Sequence, residues 1–124
     1  MNIYRTKEFS RLARKERIDD LTLCEAINRA DKGLVDATLG KFLIKQRVAR
    51  PNEGRSGGYR TIVFYRQDNR AVFLHLFAKN DKGNLTHDEL AAYRDFAKHL
   101  AELTVQQIKM LIERAMWIEI ERDE

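Results

Sequence analysis

The sequence predicts an α+β fold, in which N-terminal helices pack on a twisted antiparallel sheet of about four strands and C-terminal helices close the molecule. Apolar residues recur at helical spacing towards both ends of the chain, whereas the middle carries β-branched and aromatic runs between turn residues. The 124 residues, 44% hydrophobic and 34% charged, suffice for one domain with its own core. We therefore expect a single domain over residues 1–124.

Two helices are predicted before the sheet. Residues 2–5 have the composition of a short first strand, which we expect at an edge of the sheet. Thr6 can cap a helix that continues to about Ile18. The second helix carries apolar residues at helical spacing and ends at Gly33, a residue type that commonly terminates helices.

The start of the second helix has more than one possible cap. Thr22 and Glu25 have the spacing of a capping box, in which each residue binds the other's backbone N–H. Asp19 and Asp20 could cap the helix as well, so the sequence leaves this boundary open.

Residues 42–49 alternate between apolar and cationic side chains, which is typical of a strand with one buried and one solvated face. The predicted buried set is Phe42, Ile44 and Val48, and the predicted cationic set is Lys45 and Arg47.

Two further strands follow a glycine-rich loop. Residues 59–66 are apolar on both faces and predict a central strand. Asp68-Asn69 predicts the turn of a hairpin, and residues 71–79 form its strongly apolar second strand. These strands should form a three-stranded antiparallel meander with residues 42–49.

Two capping boxes mark the C-terminal helices. Thr86 with Glu89 predicts a helix that ends near Leu103. Thr104 with Gln107 repeats the spacing, so we predict an additional C-terminal helix over residues 104–120.

The positive charge is concentrated before and after the glycine-rich loop. Residues 41–60 hold six Lys or Arg and one acid, a local charge of +5 that exceeds the +4 of the whole chain. Cations brought together by a hairpin repel one another unless an anion lies among them, and a phosphate backbone is the simplest such anion. The pattern indicates a surface that binds nucleic acid.

The other chemistry-bearing residues indicate no metal and no cofactor. The single cysteine, Cys24, falls on an apolar helical stripe and predicts a buried structural thiol. The three histidines lie far apart in sequence, and His75 alternates with Phe73 and Phe77 as a core or edge residue would. With no long apolar run and no signal-peptide pattern, we expect a cytoplasmic protein without a membrane anchor.

Three motifs can be compared with known families, namely Arg47-Val-Ala-Arg50-Pro51, Gly54-Arg55-Ser56-Gly57-Gly58-Tyr59-Arg60 and Phe77-Ala78-Lys79-Asn80. Together they resemble the RelE/ParE superfamily of toxins from bacterial type II toxin–antitoxin pairs, and its HigB-like branch most of all. The resemblance covers roughly residues 1–100 and follows the order of the elements.

This resemblance implies a RelE-like fold and a ribonuclease that cuts messenger RNA in the ribosome. In that chemistry a ribose 2′-hydroxyl attacks the adjacent phosphate, which requires a proton acceptor, cations at the phosphate and an acid for the leaving oxygen. By resemblance the catalytic residues are Lys45, Arg47, Arg60 and Lys79. The further RNA-binding residues are Arg50, Arg55 and Tyr93, with Tyr93 as the tyrosine that would stack on a base.

The resemblance also implies a partner, an antitoxin that we expect to be a small helix-turn-helix protein bound in a hetero-oligomer. Two other functions stay open at this point. A ParE-like toxin would use the same fold and surface against DNA gyrase. A non-enzymatic module would bind nucleic acid without cutting it.

Overall fold

A computed structural model of the chain describes residues 1–50, 54–78 and 85–121, with side chains for all of these except residues 50 and 54–57. Within these ranges the chain forms four helices and six strands. In chain order they are β1 (Asn2–Thr6), α1 (Lys7–Lys15), α2 (Asp20–Asp31), β2 (Ala37–Gly40), β3 (Leu43–Arg50), β4 (Gly54–Gln67), β5 (Arg70–Ala78), α3 (His87–Ala101), α4 (Val105–Glu113) and β6 (Trp117–Ile120).

The six strands form one mixed sheet in the order β2-β3-β4-β5-β1-β6. β1 is parallel to β5, and the other neighbouring pairs are antiparallel. The fold is therefore α+β, as the sequence predicts, but the prediction of about four antiparallel strands was wrong. β1 is also not an edge strand, because β6 pairs with its outer side.

The stretch predicted as one helix over residues 104–120 is instead a short helix and a strand. α4 ends at Glu113, and Ala115 then adopts a left-handed φ of 56°, which a continuing helix does not allow. Trp117 is buried with its ring centroid 5.5 Å from that of Tyr4 on β1. The segment is a strand because its backbone pairs with β1 and Trp117 packs against Tyr4, more than a hundred residues away in sequence. The helical spacing of its apolar residues does not determine its structure.

The helices cover both faces of the sheet. We call the two sides the α1–α2 face and the α3–α4 face. Core residues on the α1–α2 face include Phe9, Leu23, Ile27, Val63 and Phe73. Core residues on the α3–α4 face include Leu43, Ile62, Phe64, Leu100 and Ile108. β4 is apolar on both sides because it lies between these two cores, as its sequence predicts.

The helix boundaries follow the capping residues. The threonine caps predicted for the first, third and fourth helices are present, at Thr6, Thr86 and Thr104, whereas Thr22 is not a cap. At the second helix, Asp19 is the cap, and its carboxylate accepts a hydrogen bond of 2.9 Å from the backbone N–H of Thr22. Gly33 follows the last turn with a φ of 82°, a conformation that favours glycine.

The hairpin turn lies where the sequence predicts it. Asp68 and Asn69 both have positive φ, at 51° and 60°, which matches the twist that a two-residue turn requires.

The prediction that Phe42 points to the same side of the sheet as Ile44 was wrong. With a φ of 59° it lies outside the alternation of β3, and it packs against Phe64 on the α3–α4 face rather than with Ile44.

Candidate functional site

Three cationic residues of β3 and β4 share one face of the sheet. Leu43 belongs to the core of the α3–α4 face, so alternation along β3 places Lys45 and Arg47 on that same face. Ile62 belongs to the same core, and Arg60 lies two residues before it on β4. The structure therefore brings together three of the four predicted catalytic residues. We call Lys45, Arg47 and Arg60 the basic cluster.

The strand register sets Arg47 directly opposite Arg60. Side chains at directly opposed positions of an antiparallel pair have Cβ atoms about 4.5–5.5 Å apart, and like charges there are destabilising. Lys45 lies opposite Ile62, one step further along the same face. This close placement of cations requires an anion or a compensating carboxylate to be favourable.

Arg60 is the buried member of the cluster. The residue is 9% exposed, and its Nη1 atom has no hydrogen-bond partner among the residues that the structure describes. Burial lowers the pKa of Arg60, the charge of Arg47 lowers it further, and Asp36 acts in the opposite direction. A buried, unsatisfied guanidinium donor is a strong binding group for a phosphate oxygen.

Arg47 is the more accessible arginine and has two further contacts. Its side chain is 45% exposed, and its Nε lies 3.1 Å from Oδ2 of Asp36. Its backbone carbonyl accepts a hydrogen bond from Nη2 of Arg29 on α2. The cluster is thus joined to the end of the connection before β2 and to the second helix.

Gln46, between Lys45 and Arg47 in sequence, points to the other face and is fully buried. Its Nε2 donates hydrogen bonds of 2.9 Å to the carbonyls of Ala26 and Leu34, and its Oε1 accepts from the backbone N–H of Asp36 at 3.2 Å. This amide therefore fixes the connection that carries Asp36.

Asp36 and Gln46 are not among the site residues predicted from the sequence. A signal for Gln46 was present, because a polar residue at a core position between Ile44 and Val48 breaks the alternation. No comparable local signal marks Asp36, which lies in an irregular connection.

Aromatic side chains extend from the cluster along β5. Phe77 lies opposite Arg60, and its ring centroid is 6.0 Å from that of His75. The His75 ring in turn lies 5.8 Å from the ring of Tyr93 on α3. Tyr93 is thus connected to the cluster through two rings rather than placed within it. It also lines an apolar cavity of about 490 Å³, together with residues that include Leu74.

Burial changes the acid–base properties of this ring series. It lowers the pKa of His75, although the nearby carboxylates of Glu89 and Glu8 act in the opposite direction. It raises the pKa of Tyr93, and the same two carboxylates raise it further. In both rings, burial favours the neutral form.

Several predicted site residues lie outside what the structure describes. Lys79 belongs to residues 79–84, which are not described. The side chains of Arg50 and Arg55 are also not described, although the backbone of Arg50 pairs with that of Gly54. Their roles stay predictions.

Two further observations concern metal binding and membrane insertion. In the described ranges, no group of three or more His, Cys, Asp or Glu side chains is arranged to hold a metal ion. No helix in those ranges combines the length and apolar character of a bilayer-spanning segment.

Comparison with known proteins is consistent with the sequence motifs. Residues 1–120 match the model of the family described as the RelE toxin of the RelE/RelB toxin–antitoxin system. No curated protein matches the chain. The family match spans every element from β1 to β6, including both strands of the basic cluster. The chain therefore belongs to the RelE family within the RelE/ParE superfamily, and it is the toxin of a toxin–antitoxin pair whose partner is a cognate antitoxin.

Proposed function

We propose that this toxin, of the HigB-like branch, is an endoribonuclease that cuts messenger RNA on the ribosome without a metal ion and so arrests translation. The observation that carries the proposal is the pair of opposed arginines, in which Arg47 is accessible and Arg60 is buried with no hydrogen-bond partner for its Nη1 among the described residues. Two guanidinium groups at that spacing can bind the non-bridging oxygens of one phosphodiester.

The reaction begins when the ribose 2′-hydroxyl attacks the adjacent phosphorus. The P–O5′ bond breaks, the 2′-hydroxyl loses its proton, and the departing 5′-oxygen gains one. Negative charge grows on the phosphate in between, and the guanidinium groups of Arg47 and Arg60 stabilise it electrostatically. Transition-state charge stabilisation of this kind is typically worth about 3–4 kcal/mol per donor.

Lysines suit the proton transfers better than arginines do. A lysine ammonium can lose its proton when its surroundings favour the neutral amine, whereas a guanidinium keeps its proton. Lys45, on the same face as Arg47, and Lys79, after β5, are therefore the residues we assign to proton transfer and further charge stabilisation at the cut.

The RNA flanking the cut extends beyond the basic cluster. Arg50, at the end of β3, and Arg55, at the start of β4, contribute phosphate contacts, which makes binding dependent on salt. Tyr93, a half-buried residue whose ring packs beside His75, contacts a base. The antitoxin, a small helix-turn-helix protein, forms a hetero-oligomer with the toxin and covers or distorts the basic cluster, or presents acidic residues to it. The toxin acts in the cytoplasm, where ribosomes are translating.

The proposal can be tested with two buried arginines of one sheet. Arg60 and Arg70 are both 9% exposed, but Arg70 lies at the opposite end of β5, about 23 Å along the strand from the residue that pairs with Arg60. After brief induction in cells, messenger cleavage ends are mapped for the wild type, Arg60→Lys and Arg70→Lys. We expect cleavage ends with the wild type and Arg70→Lys, and few or none with Arg60→Lys.

Other outcomes would contradict the proposal in distinct ways. Arrest of replication before translation, without new messenger ends, would favour a toxin of DNA gyrase. Tight RNA binding with no cleavage on translating ribosomes would favour a non-enzymatic module. Equal loss of cleavage in both lysine variants would show that the effect comes from the fold and not from the cluster.

A further inference from the structure

Asp36 is a carboxylate placed against the basic cluster. Its Oδ2 lies 3.1 Å from Nε of Arg47, and its side chain is 21% exposed, so the ion pair is partly shielded from water. Its charge also reaches Arg60, where it opposes the effects of burial and of Arg47. One acid therefore acts on both arginines.

The position of Asp36 is fixed by buried contacts. The backbone N–H of Asp36 donates to Oε1 of Gln46, and the other end of the same amide donates to the carbonyls of Ala26 and Leu34. The carbonyl of Gln46 accepts a hydrogen bond of 2.8 Å from Oγ1 of Thr61, the residue after Arg60. A single buried network thus holds Asp36, the Arg47 strand and the Arg60 strand in register.

The contact uses only part of the donor capacity of Arg47. A guanidinium carries five N–H donors in a rigid plane, and the ion pair with Asp36 is made at Nε. The attraction between the two charges keeps the guanidinium beside Asp36, and the terminal Nη nitrogens of a guanidinium can still donate to another anion. The carboxylate also offsets the repulsion between two guanidinium groups at opposed positions.

We propose that Asp36 is a positioning residue of the toxin, which holds the Arg47 guanidinium in the orientation needed to share one phosphodiester with Arg60. This inference rests on the proposed nuclease function. It assigns Asp36 no contact with RNA. Its effect on the reaction passes through Arg47 and is therefore an effect on rate more than on affinity.

The test distinguishes an effect on the rate of RNA cleavage from an effect on the affinity for RNA. Purified wild type, Asp36→Asn and Asp36→Glu are compared in single-turnover cleavage of a defined messenger on translating ribosomes. Binding of a single-stranded RNA oligonucleotide is measured in an Arg60→Lys background, which should not cut it. The matched control is Asp20→Asn, which removes an equal charge from an ion pair with Arg5 (2.8 Å) on another part of the sheet.

We expect Asp36→Asn to cut about ten to a hundred times more slowly, because a misplaced catalytic group loses that much of its effect. Its dissociation constant for RNA should stay equal or become smaller, since a negative charge near the cluster is gone. Asp36→Glu should regain most of the rate, and Asp20→Asn should match the wild type.

Three results would overturn the inference. The first is cleavage by Asp36→Asn at or above the wild-type rate, which would make Asp36 irrelevant or a brake. The second is a joint loss of rate, RNA affinity and thermal stability, which would indicate a structural role only. The third is an Asp36→Glu variant that cuts no faster than Asp36→Asn.

A measurement without RNA keeps this inference separate from the proposed function. The Nε–H signal of Arg47 in a ¹⁵N NMR spectrum should be protected from exchange in the wild type and in Asp20→Asn, and lost in Asp36→Asn. If the wild type cuts no RNA, the proposed function fails on its own. Positioning of Arg47 by Asp36 then stands if this signal depends on Asp36, and falls if it does not.

Discussion

Arg47 on β3 lies directly opposite Arg60 on β4, so two guanidinium groups occupy one cross-strand position of the sheet. Arg60 is buried, whereas Arg47 is accessible and forms an ion pair with Asp36. Like charges at opposed positions destabilise a sheet, and the carboxylate of Asp36 or a bound anion offsets this repulsion.

Removal of Arg47 should make RNA binding less sensitive to salt. The slope of the logarithm of the binding constant against the logarithm of salt concentration should fall by about 0.7 in Arg47→Ala, because one phosphate contact to a single strand is lost. The measurement is RNA binding between about 50 and 200 mM salt. Arg66→Ala is the control, because Arg66 is an exposed arginine of β4 whose ion-pair partner is Asp31. An equal change in both variants would mean that the effect is general to surface charge.

Gln46→Leu should destabilise the protein although leucine fills a similar volume. The substitution leaves the carbonyl of Leu34 and the N–H of Asp36 without their buried partner. We expect the free energy of unfolding to fall by about 1–3 kcal/mol, the cost of a buried polar group left unsatisfied. Urea denaturation measures this through a lower midpoint at an unchanged slope.

The control for this substitution is Gln106→Leu on the exposed side of α4, which makes the same chemical change in contact with water. Gln106→Leu should leave the midpoint nearly unchanged. Equal midpoints for the wild type and Gln46→Leu would contradict the role of the buried amide in holding the connection to β2.

His75 should make the protein sensitive to mild acid. Burial lowers the pKa of His75 in the folded state below the ordinary value of 6.5, so the unfolded chain takes up a proton first as the pH falls. The stability contributed by the neutral ring is therefore complete above about pH 6.5 and is lost as the pH falls through that value towards the folded pKa. His75→Phe should keep the ring contacts with Phe77 and Tyr93 and lose less stability on acidification.

The measurement is urea denaturation at about pH 7.5 and about pH 5.5, on either side of the ordinary histidine pKa. His87→Gln removes an exposed imidazole on α3 and should retain the wild-type loss of stability between these two conditions. If His75→Phe loses as much stability as the wild type, the acid sensitivity arises from other groups.

Much of the local structure could be predicted because its signals are local. Thr86 with Glu89 and Thr104 with Gln107 mark helix starts through contacts three residues apart, and both capping boxes are present. The Asp68-Asn69 turn and the alternation of Lys45 with Arg47 depend on neighbours only one or two positions away. The family could be predicted for the same reason, since its motifs are short and continuous.

The elements that were predicted wrongly have structures set by pairing with residues far away in the sequence. The segment from Trp117 to Ile120 has residues compatible with either a helix or a strand, and its pairing with β1 decides between them. β1 itself carries no signal for its parallel pairing with β5, because nothing in five residues specifies which strand edge they will meet. Asp36 is another case, as its role exists only through contacts with Gln46 and Arg47.

The sequence by itself determined three of the four helix starts, the strand alternation, the concentration of positive charge in residues 41–60 and the membership of the RelE family, because each is encoded by residues close together in the chain. Only the tertiary structure decided that Arg47 and Arg60 oppose each other beside Asp36, that β1 lies inside the sheet and that residues 117–120 form a strand paired with β1. The physical reason is that strand register and buried hydrogen bonds join residues far apart in sequence, where composition and periodicity carry no information about partners.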